Sequence, residues 1–235
     1  MIVLGLDTAT QATAVALLLD DGRALERDED PPDGGRPGHA TRVLPLAAEL
    51  LDETGLDWRE IERIAVGVGP GSFTGLRIGV ATARGLAQSL GISVGAVGTL
   101  RALAVAAAAS PDATPDPPTI LAVLDARRGE LFVAAYAGDR ELLAPRAVAP
   151  QQLGALIAEL PSRPALAVGD GAIKSSAQLH AAAVAVAPVT SRLHRVSAAV
   201  VCRLAAAAPP TAPEAVLPHY HRLADAEIAL QSNEP

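Results

Sequence analysis

One pattern constrains this chain more than any other. Leu4-Gly5-Leu6-Asp7, followed by Val15-Ala16, lines up without gaps on Ala122-Val123-Leu124-Asp125, followed by Val133-Ala134. In both places an apolar run ends in an aspartate, and a second apolar run returns shortly after it. The segments after the two copies also correspond. Ile2–Leu6, Thr13–Leu19 and Arg23–Glu29 read as three strands, the last pair joined at Asp20-Asp21-Gly22. Connections this short force an antiparallel meander. Helical spacing then takes over in His39–Thr54, with Val43, Leu44, Ala47, Leu50 and Leu51 recurring, Pro45 expected to sit near the first turn or to kink the helix, and Gly55 placed to cap it. Ile64–Val68 reads as a buried strand, Gly75–Leu90 as helix, Ile92–Val97 as strand, and a helix capped by Thr99 runs to about Ala109. The order is βββαβαβα.

A linker, Ser110–Pro118 (SPDATPDPP), separates this from a second series. Ile120–Leu124, Leu131–Ala137 and Glu141–Val148 read as strands, Gln151–Leu160 as helix, Ala165–Val168 as strand, and a further helix comes after the turn Gly169-Asp170-Gly171. Ser191–Ala208 closes the series as one long helix, ended by Pro209-Pro210. The expectation is an α/β protein of two tandem ribonuclease H-like domains, 1–108 and 119–190. The helix 191–208 packs back on the first domain, and 209–235 forms a C-terminal tail. The duplicated order resembles the actin-like, sugar-kinase and Hsp70 superfamily, whose members hold ATP between domains with its phosphates on the first hairpin of each copy.

Composition narrows the function. Aromatic residues make up 2% of the chain, so the core has to be built from Ala, Val, Leu and Ile, and a broad stacking platform for single-stranded RNA is not expected. A net charge of −7 denies the chain the positive field that nucleic-acid backbones attract, so any nucleic-acid contact is expected to take most of its charge from another subunit. Cys202 is the single cysteine, which excludes a disulfide framework and a cysteine-rich metal site. The apolar start is too short for a signal peptide and no apolar run spans a bilayer, so a cytoplasmic protein is expected. Lys174 is the only lysine, which removes P-loop chemistry.

Two segments carry candidate chemistry. Asp7-Thr8-Ala9-Thr10 stands where the superfamily holds phosphate, with Asp125 in the opposite turn, Asp125–Gly129. Ala9 replaces the glycine usual in such a loop and the second turn is bulky, so Asp7, Thr8, Thr10 and Asp125 read either as a vestigial nucleotide site or as structural turns. The second segment, Gly67-Val-Gly-Pro-Gly-Ser-Phe-Thr-Gly75-Leu-Arg77-Ile-Gly79, precedes a helix but matches neither GxGxxG nor the P-loop. Along that helix Leu76, Val80, Ala83, Ala87 and Leu90 share the face expected on the sheet. Gly75, Ile78, Gly79, Thr82, Gly85 and Leu86 lie on another side, which reads either as internal packing or, with Leu44 and Leu51 of the preceding helix, as a subunit interface. His219 and His221 do not close a metal site, and no metal is expected.

LGLDTATQATAVAL, VGVGPGSFTGLRIGVATARGLA and LDARRGELFVAAY resemble the TsaB (YeaZ) family of bacterial actin-like proteins, with a weaker echo in Pro218–Arg222. The resemblance implies a non-catalytic scaffold and dimerisation subunit in the synthesis of threonylcarbamoyladenosine beside the tRNA anticodon. It implies a TsaD-like catalytic partner, a TsaE-like ATPase, and an interface on the first two helices that also serves a homodimer. No cofactor is implied beyond weak ATP or ADP binding. Family members often carry His-Ser-Glu where this chain has His39-Ala40-Thr41. The alternative on the residues alone is an independent ATP-dependent phosphotransferase, which requires intact phosphate turns in both domains.

Overall fold

The computed structural model describes residues 1–32, 35–110 and 117–221. Most of the expected linker, Arg222 and the rest of the tail lie outside the described residues. Strands β1 (Val3–Asp7), β2 (Thr13–Leu18) and β3 (Ala24–Glu29) form the first meander, followed by α1 (His39–Thr54), β4 (Arg63–Gly69), α2 (Phe73–Leu90), β5 (Ser93–Gly98) and α3 (Thr99–Ala108). The second series has β6 (Thr119–Arg127), β7 (Glu130–Ala137), β8 (Arg140–Val148), α4 (Leu153–Ala158), β9 (Leu166–Val168), α5 (Asp170–Lys174), α6 (Ser176–Ala181), β10 (Ala185–Val186) and α7 (Ala198–Ala207). Two five-stranded sheets result, ordered β3-β2-β1-β4-β5 and β8-β7-β6-β9-β10. The connectivity is the same in both: an antiparallel meander whose first strand pairs in parallel with the fourth.

The gapless alignment of the two hairpins holds for their second strands and slips in their first. Val15 pairs with Leu6, whereas Val133 pairs with Val123. The residue equivalent to Leu6 is therefore Val123, and Asp125 stands one position beyond the place that Asp7 occupies. A one-residue slip reverses the face of every side chain on a strand. Leu4 and Leu6 accordingly join one core layer, while Leu124 joins another.

Three apolar layers hold the molecule together. The outer layer of the first sheet sets Leu4, Leu6, Val15, Leu17, Ile64 and Val66 against Val43, Leu50 and Leu51 of α1 and Val80, Ala83 and Ala87 of α2. The outer layer of the second sheet sets Leu121, Val123, Leu131 and Val133 against Leu153, Ile157 and Leu179. Between the sheets lies the third layer, carried by α3 and α7. These two helices are exchanged. Helix α3, which comes after the first sheet in the chain, packs on β6 and β7, and α7, which comes after the second, packs on β1, β2, β4 and β5.

Small residues make this middle layer thin enough to fit. A side chain on Gly95 would overlap Ala205, and one on Gly5 would overlap the sulfur of Cys202. Cys202 is fully buried, its Sγ 3.5 Å from the Val3 carbonyl, and burial pushes its thiol pKa up to about 12. Helix α7 is also held at both ends by the first sheet. Glu26 of β3 accepts from Ser197 Oγ at 2.9 Å and from the Ala198 N–H at 2.6 Å, and Arg63 of β4 donates to the carbonyls of Ala205 and Ala208 at 2.6 and 2.9 Å. An acid at the N-terminus and a base at the C-terminus match the helix dipole.

Several details differ from expectation. The closing helix read over 191–208 begins at Ala198, because Ser191 caps only a short 3-10 turn at Arg192–His194 and Ser197 caps the helix itself. Residues 209–221 of the expected tail return to the first sheet, where Thr211 and Val94 exchange hydrogen bonds of 2.9 and 3.0 Å and Val216 is buried. Pro45 lies inside α1, past its first turn, without ending it. Among the described residues, no helix is long and apolar enough to cross a membrane.

Candidate functional site

A cleft of about 610 Å³ opens between the two sheets, at the ends of their first hairpins. Its walls come from both units: Thr10 and Gln11 after β1, Gly71–Thr74 and Arg77 at the start of α2, Leu124–Arg128 and Phe132 of the second hairpin, Asp170 at the start of α5, and His219–His221 of the returning C-terminal segment.

The expected nucleotide residues divide here. Thr10 and Asp125 line the cleft, and Asp7 and Thr8 do not. Asp7 is buried beneath the turn, where Oδ1 accepts from the Ala9 N–H at 2.9 Å and Oδ2 finds no hydrogen-bond partner among the described residues. Burial, only partly offset by the Ala9 N–H, pushes its pKa up to about 7. Thr8 is also buried, and its hydroxyl donates to the Gly75 carbonyl at 2.8 Å. Both side chains are committed to the protein's own interior.

The glycine-rich segment explains this inversion. A side chain on Gly67 would overlap the Asp7 carboxylate, one on Gly71 would overlap Ala9, and one on Gly75 or Gly79 would overlap Thr8. The Ser72 N–H also donates to the Ala9 carbonyl at 2.7 Å. Four glycines at four-residue spacing thus form a mould for the turn 7–9. They close around the side chains of Asp7 and Thr8 and the backbone of Thr8 and Ala9. Two of the expected interface glycines, Gly75 and Gly79, lie buried against Thr8 instead of on the exposed side of α2. Leu51 is likewise buried in the first core. Leu44 remains 47% exposed, Ile78, Thr82 and Leu86 are half-buried, and Gly85 is exposed with open space around it.

The opposite turn is charged. Arg127 and Arg128 both adopt left-handed backbone, with φ of 65° and 52°, an unfavourable conformation for a side-chain-bearing residue. Asp125 pairs with Lys174 at 2.5 Å and with Arg127 at 3.6 Å. Burial acts to raise its pKa, but the hydrogen bonds of Lys174 and of the Arg127 N–H prevail and hold the carboxyl below the usual range. Asp170 accepts from the Asp125 N–H at 2.9 Å, and burial, reinforced by the charge of Asp125, moves its pKa up. The single lysine and three arginines thus gather around a cleft in a chain of net charge −7.

Sequence reasoning missed the opposite edge of this cleft. The guanidinium of Arg77 lies 3.7 Å above the Phe73 ring, its Nε donates to the Tyr220 hydroxyl at 2.9 Å, and the Phe73 and Tyr220 rings are 4.9 Å apart. With Phe132, three of the chain's five aromatic rings meet at one cleft, a concentration that a composition of 2% conceals. His219 and His221 belong to an irregular segment along this edge, and among the described residues no group of three ligating side chains is placed to hold a metal. His39 is buried, with Nδ1 2.8 Å from the Thr13 hydroxyl.

A duplicated meander, crossed helices between two sheets and a cleft at the paired hairpins define an actin-like protein. The family model described as TsaD, tRNA N6-adenosine threonylcarbamoyltransferase, matches residues 32–154. The tRNA threonylcarbamoyladenosine biosynthesis protein TsaB of Haemophilus influenzae is 32% identical over 72% of this chain and 72% of its own length. The protein of the same name from Escherichia coli is 39% identical over 59% of this chain, a stretch that spans 56% of that relative. The structure of YeaZ from Pseudomonas aeruginosa superposes with a TM-score of 0.75 at 29% identity, covering 93% of this chain and 99% of that one. The chain belongs to the TsaB (YeaZ) family.

Proposed function

We propose that this chain is a non-catalytic scaffold subunit in the synthesis of tRNA threonylcarbamoyladenosine, the process after which its H. influenzae and E. coli relatives are named. In this reading it supports a TsaD-like catalytic subunit, works alongside a TsaE-like ATPase in the cytoplasm, and meets tRNA only through the assembled complex. It requires no cofactor of its own. The observation that supports the reading is the burial of Asp7 and Thr8 beneath the first turn. An actin-like enzyme needs those side chains to face phosphate, and here Gly67, Gly75 and Gly79 pack against Asp7 and Thr8 and turn them into the interior. The same packing speaks against the independent phosphotransferase reading, because it takes Asp7 and Thr8 out of the cleft that Thr10 and Gln11 line.

The surface proposed for the partner is the exposed side of α1 and α2. Leu44, Ile78, Thr82 and Leu86 leave apolar area in contact with water, and Gly85 allows close approach of another backbone. Burying a side chain such as Ile78 is worth roughly 1.5–3 kcal/mol. The same surface serves a homodimer in the absence of the partner, which makes the two assemblies mutually exclusive. Gly85→Leu is the direct test, because no described residue occupies the space beside Gly85. The expected outcome is a folded monomer by sedimentation that neither self-associates nor restores activity to a TsaD-like protein. Unchanged association of that variant refutes the surface. Tight Mg-ATP binding with hydrolysis by the purified wild-type chain refutes the scaffold reading.

A further inference from the structure

The actin-like fold carries an expectation about its cleft that the side chains do not meet. A nucleotide held between the two units comes with a divalent cation, and such a cation needs oxygen ligands, carboxylates foremost. The carboxylates that line or underlie this cleft are Asp7, Asp125 and Asp170, and each is committed elsewhere. Asp7 is buried beneath its turn. Asp125 is held by Lys174 at 2.5 Å, and Asp170 accepts from the Asp125 N–H at 2.9 Å. Among the described residues, no group of three His, Cys, Asp or Glu side chains is placed to hold a cation. The residues present therefore do not fit a metal-carried nucleotide.

The cleft offers positive charge from both units instead. Arg77 on α2 enters no ion pair among the described residues. Its Nε donates to the neutral Tyr220 hydroxyl and its guanidinium rests on the Phe73 ring, which leaves the charge uncompensated. On the opposite wall one carboxylate, Asp125, faces two cations, Lys174 at 2.5 Å and Arg127 at 3.6 Å. Burial of Asp170 disfavours its charged form. The N-terminal end of the 18-residue α2, at Ser72–Thr74, borders the same space and adds the positive end of its dipole. We propose that the cleft binds a multivalent, phosphate-type oxyanion without a metal ion, bridged between Arg77 of the first unit and Arg127 of the second. The guanidinium groups stand in for the cation. Their fixed forks match oxyanion geometry, and their charge persists across the working pH range. A divalent cation in solution chelates such a ligand and so competes with the arginines.

Calorimetric titration of the full chain with tripolyphosphate in EDTA is the test. The expected result is saturable binding that weakens as salt rises and as Mg2+ is supplied in excess of the ligand. Arg77→Gln and Arg127→Asn are each expected to weaken it by about tenfold, the scale of one charged hydrogen bond. Asn suits position 127 because it tolerates the left-handed backbone there. Arg59→Gln removes the same charge outside the cleft and is expected to bind as wild type. Circular dichroism melts report whether each variant folds, and where Arg127→Asn melts early, Arg77→Gln on the exposed side of α2 decides the matter. Absence of saturable binding in EDTA overturns the proposal, as does binding that appears only with Mg2+. Unchanged affinity in folded cleft variants overturns it too, and so does an equal loss in Arg59→Gln, which is then a general effect of charge. Gly85→Leu is expected to leave tripolyphosphate binding intact, so this site and the proposed partner surface stand or fall separately.

Discussion

Asp7 shows how far one residue's setting can depart from its sequence appearance. It closes an apolar strand in the position of a phosphate-site carboxylate, yet it lies beneath the turn with one oxygen unpartnered among the described residues. Its folded pKa, about 7, lies above the unfolded value of 3.8. The folded state therefore binds more protons between these values, and stability falls as pH rises from about 4 to 7. At 1.36 kcal/mol per pKa unit, the loss reaches roughly 4 kcal/mol at most. Asp7→Asn is expected to flatten this dependence and to be more stable than wild type at pH 8, which urea titrations at several pH values will measure. The aspartate and the glycines were legible in the sequence, but their relation was not. A helical projection places Gly75 and Gly79 on a face apart from the sheet, and it carries no trace of Thr8, some 70 residues earlier. Composition likewise counted the aromatic rings correctly and was blind to where Phe73, Phe132 and Tyr220 converge.

The elements were easier to read than their ends. The apolar face of α2, with Val80, Ala83 and Ala87 on the sheet, emerges directly from helical spacing. The start of α7 does not, because Ser191 and Ser197 are both acceptable caps and both do cap a turn. The selection between them comes from Glu26, which reaches the N-terminus of α7 from a strand far away in the sequence. Glu26 and Arg63 hold α7 by charged hydrogen bonds at opposite ends, a class worth about 1.5–3 kcal/mol each. Glu26→Ala and Arg63→Ala are each expected to lower unfolding free energy by an amount of that order. The double variant should come close to the sum, since the two sites share no partner. Denaturant midpoints at unchanged slope will check this. The hairpin repeat was also visible at this scale, although its one-residue slip was not. The slip is set by the pairing of Val15 with Leu6 and of Val133 with Val123, a choice of register that similar residue strings leave open.

At the scale of the whole molecule, the exchange of α3 and α7 makes each half incomplete. The inner face of the first sheet, with Val3, Ala16, Ala65 and Val97, is covered by a helix from the second half. A fragment of residues 1–110 is expected to show no cooperative unfolding and to bind hydrophobic dyes, whereas co-expression with 117–235 should yield a complex that purifies as one species and unfolds in a single transition. A cooperative transition in the isolated first fragment contradicts this. The duplication in the sequence suggested two tandem domains with the closing helix returned to the first, and the reciprocal placement of α3 on the second sheet makes the exchange a clasp. That clasp also sets a timetable for synthesis. The first sheet leaves the ribosome with one greasy side bare and waits on the order of 100 further residues for α7, roughly 5–20 s at ordinary bacterial elongation rates. During that interval the nascent chain is a natural client for chaperones, and a stalled or truncated message releases an unfinished, sticky half instead of a functional domain.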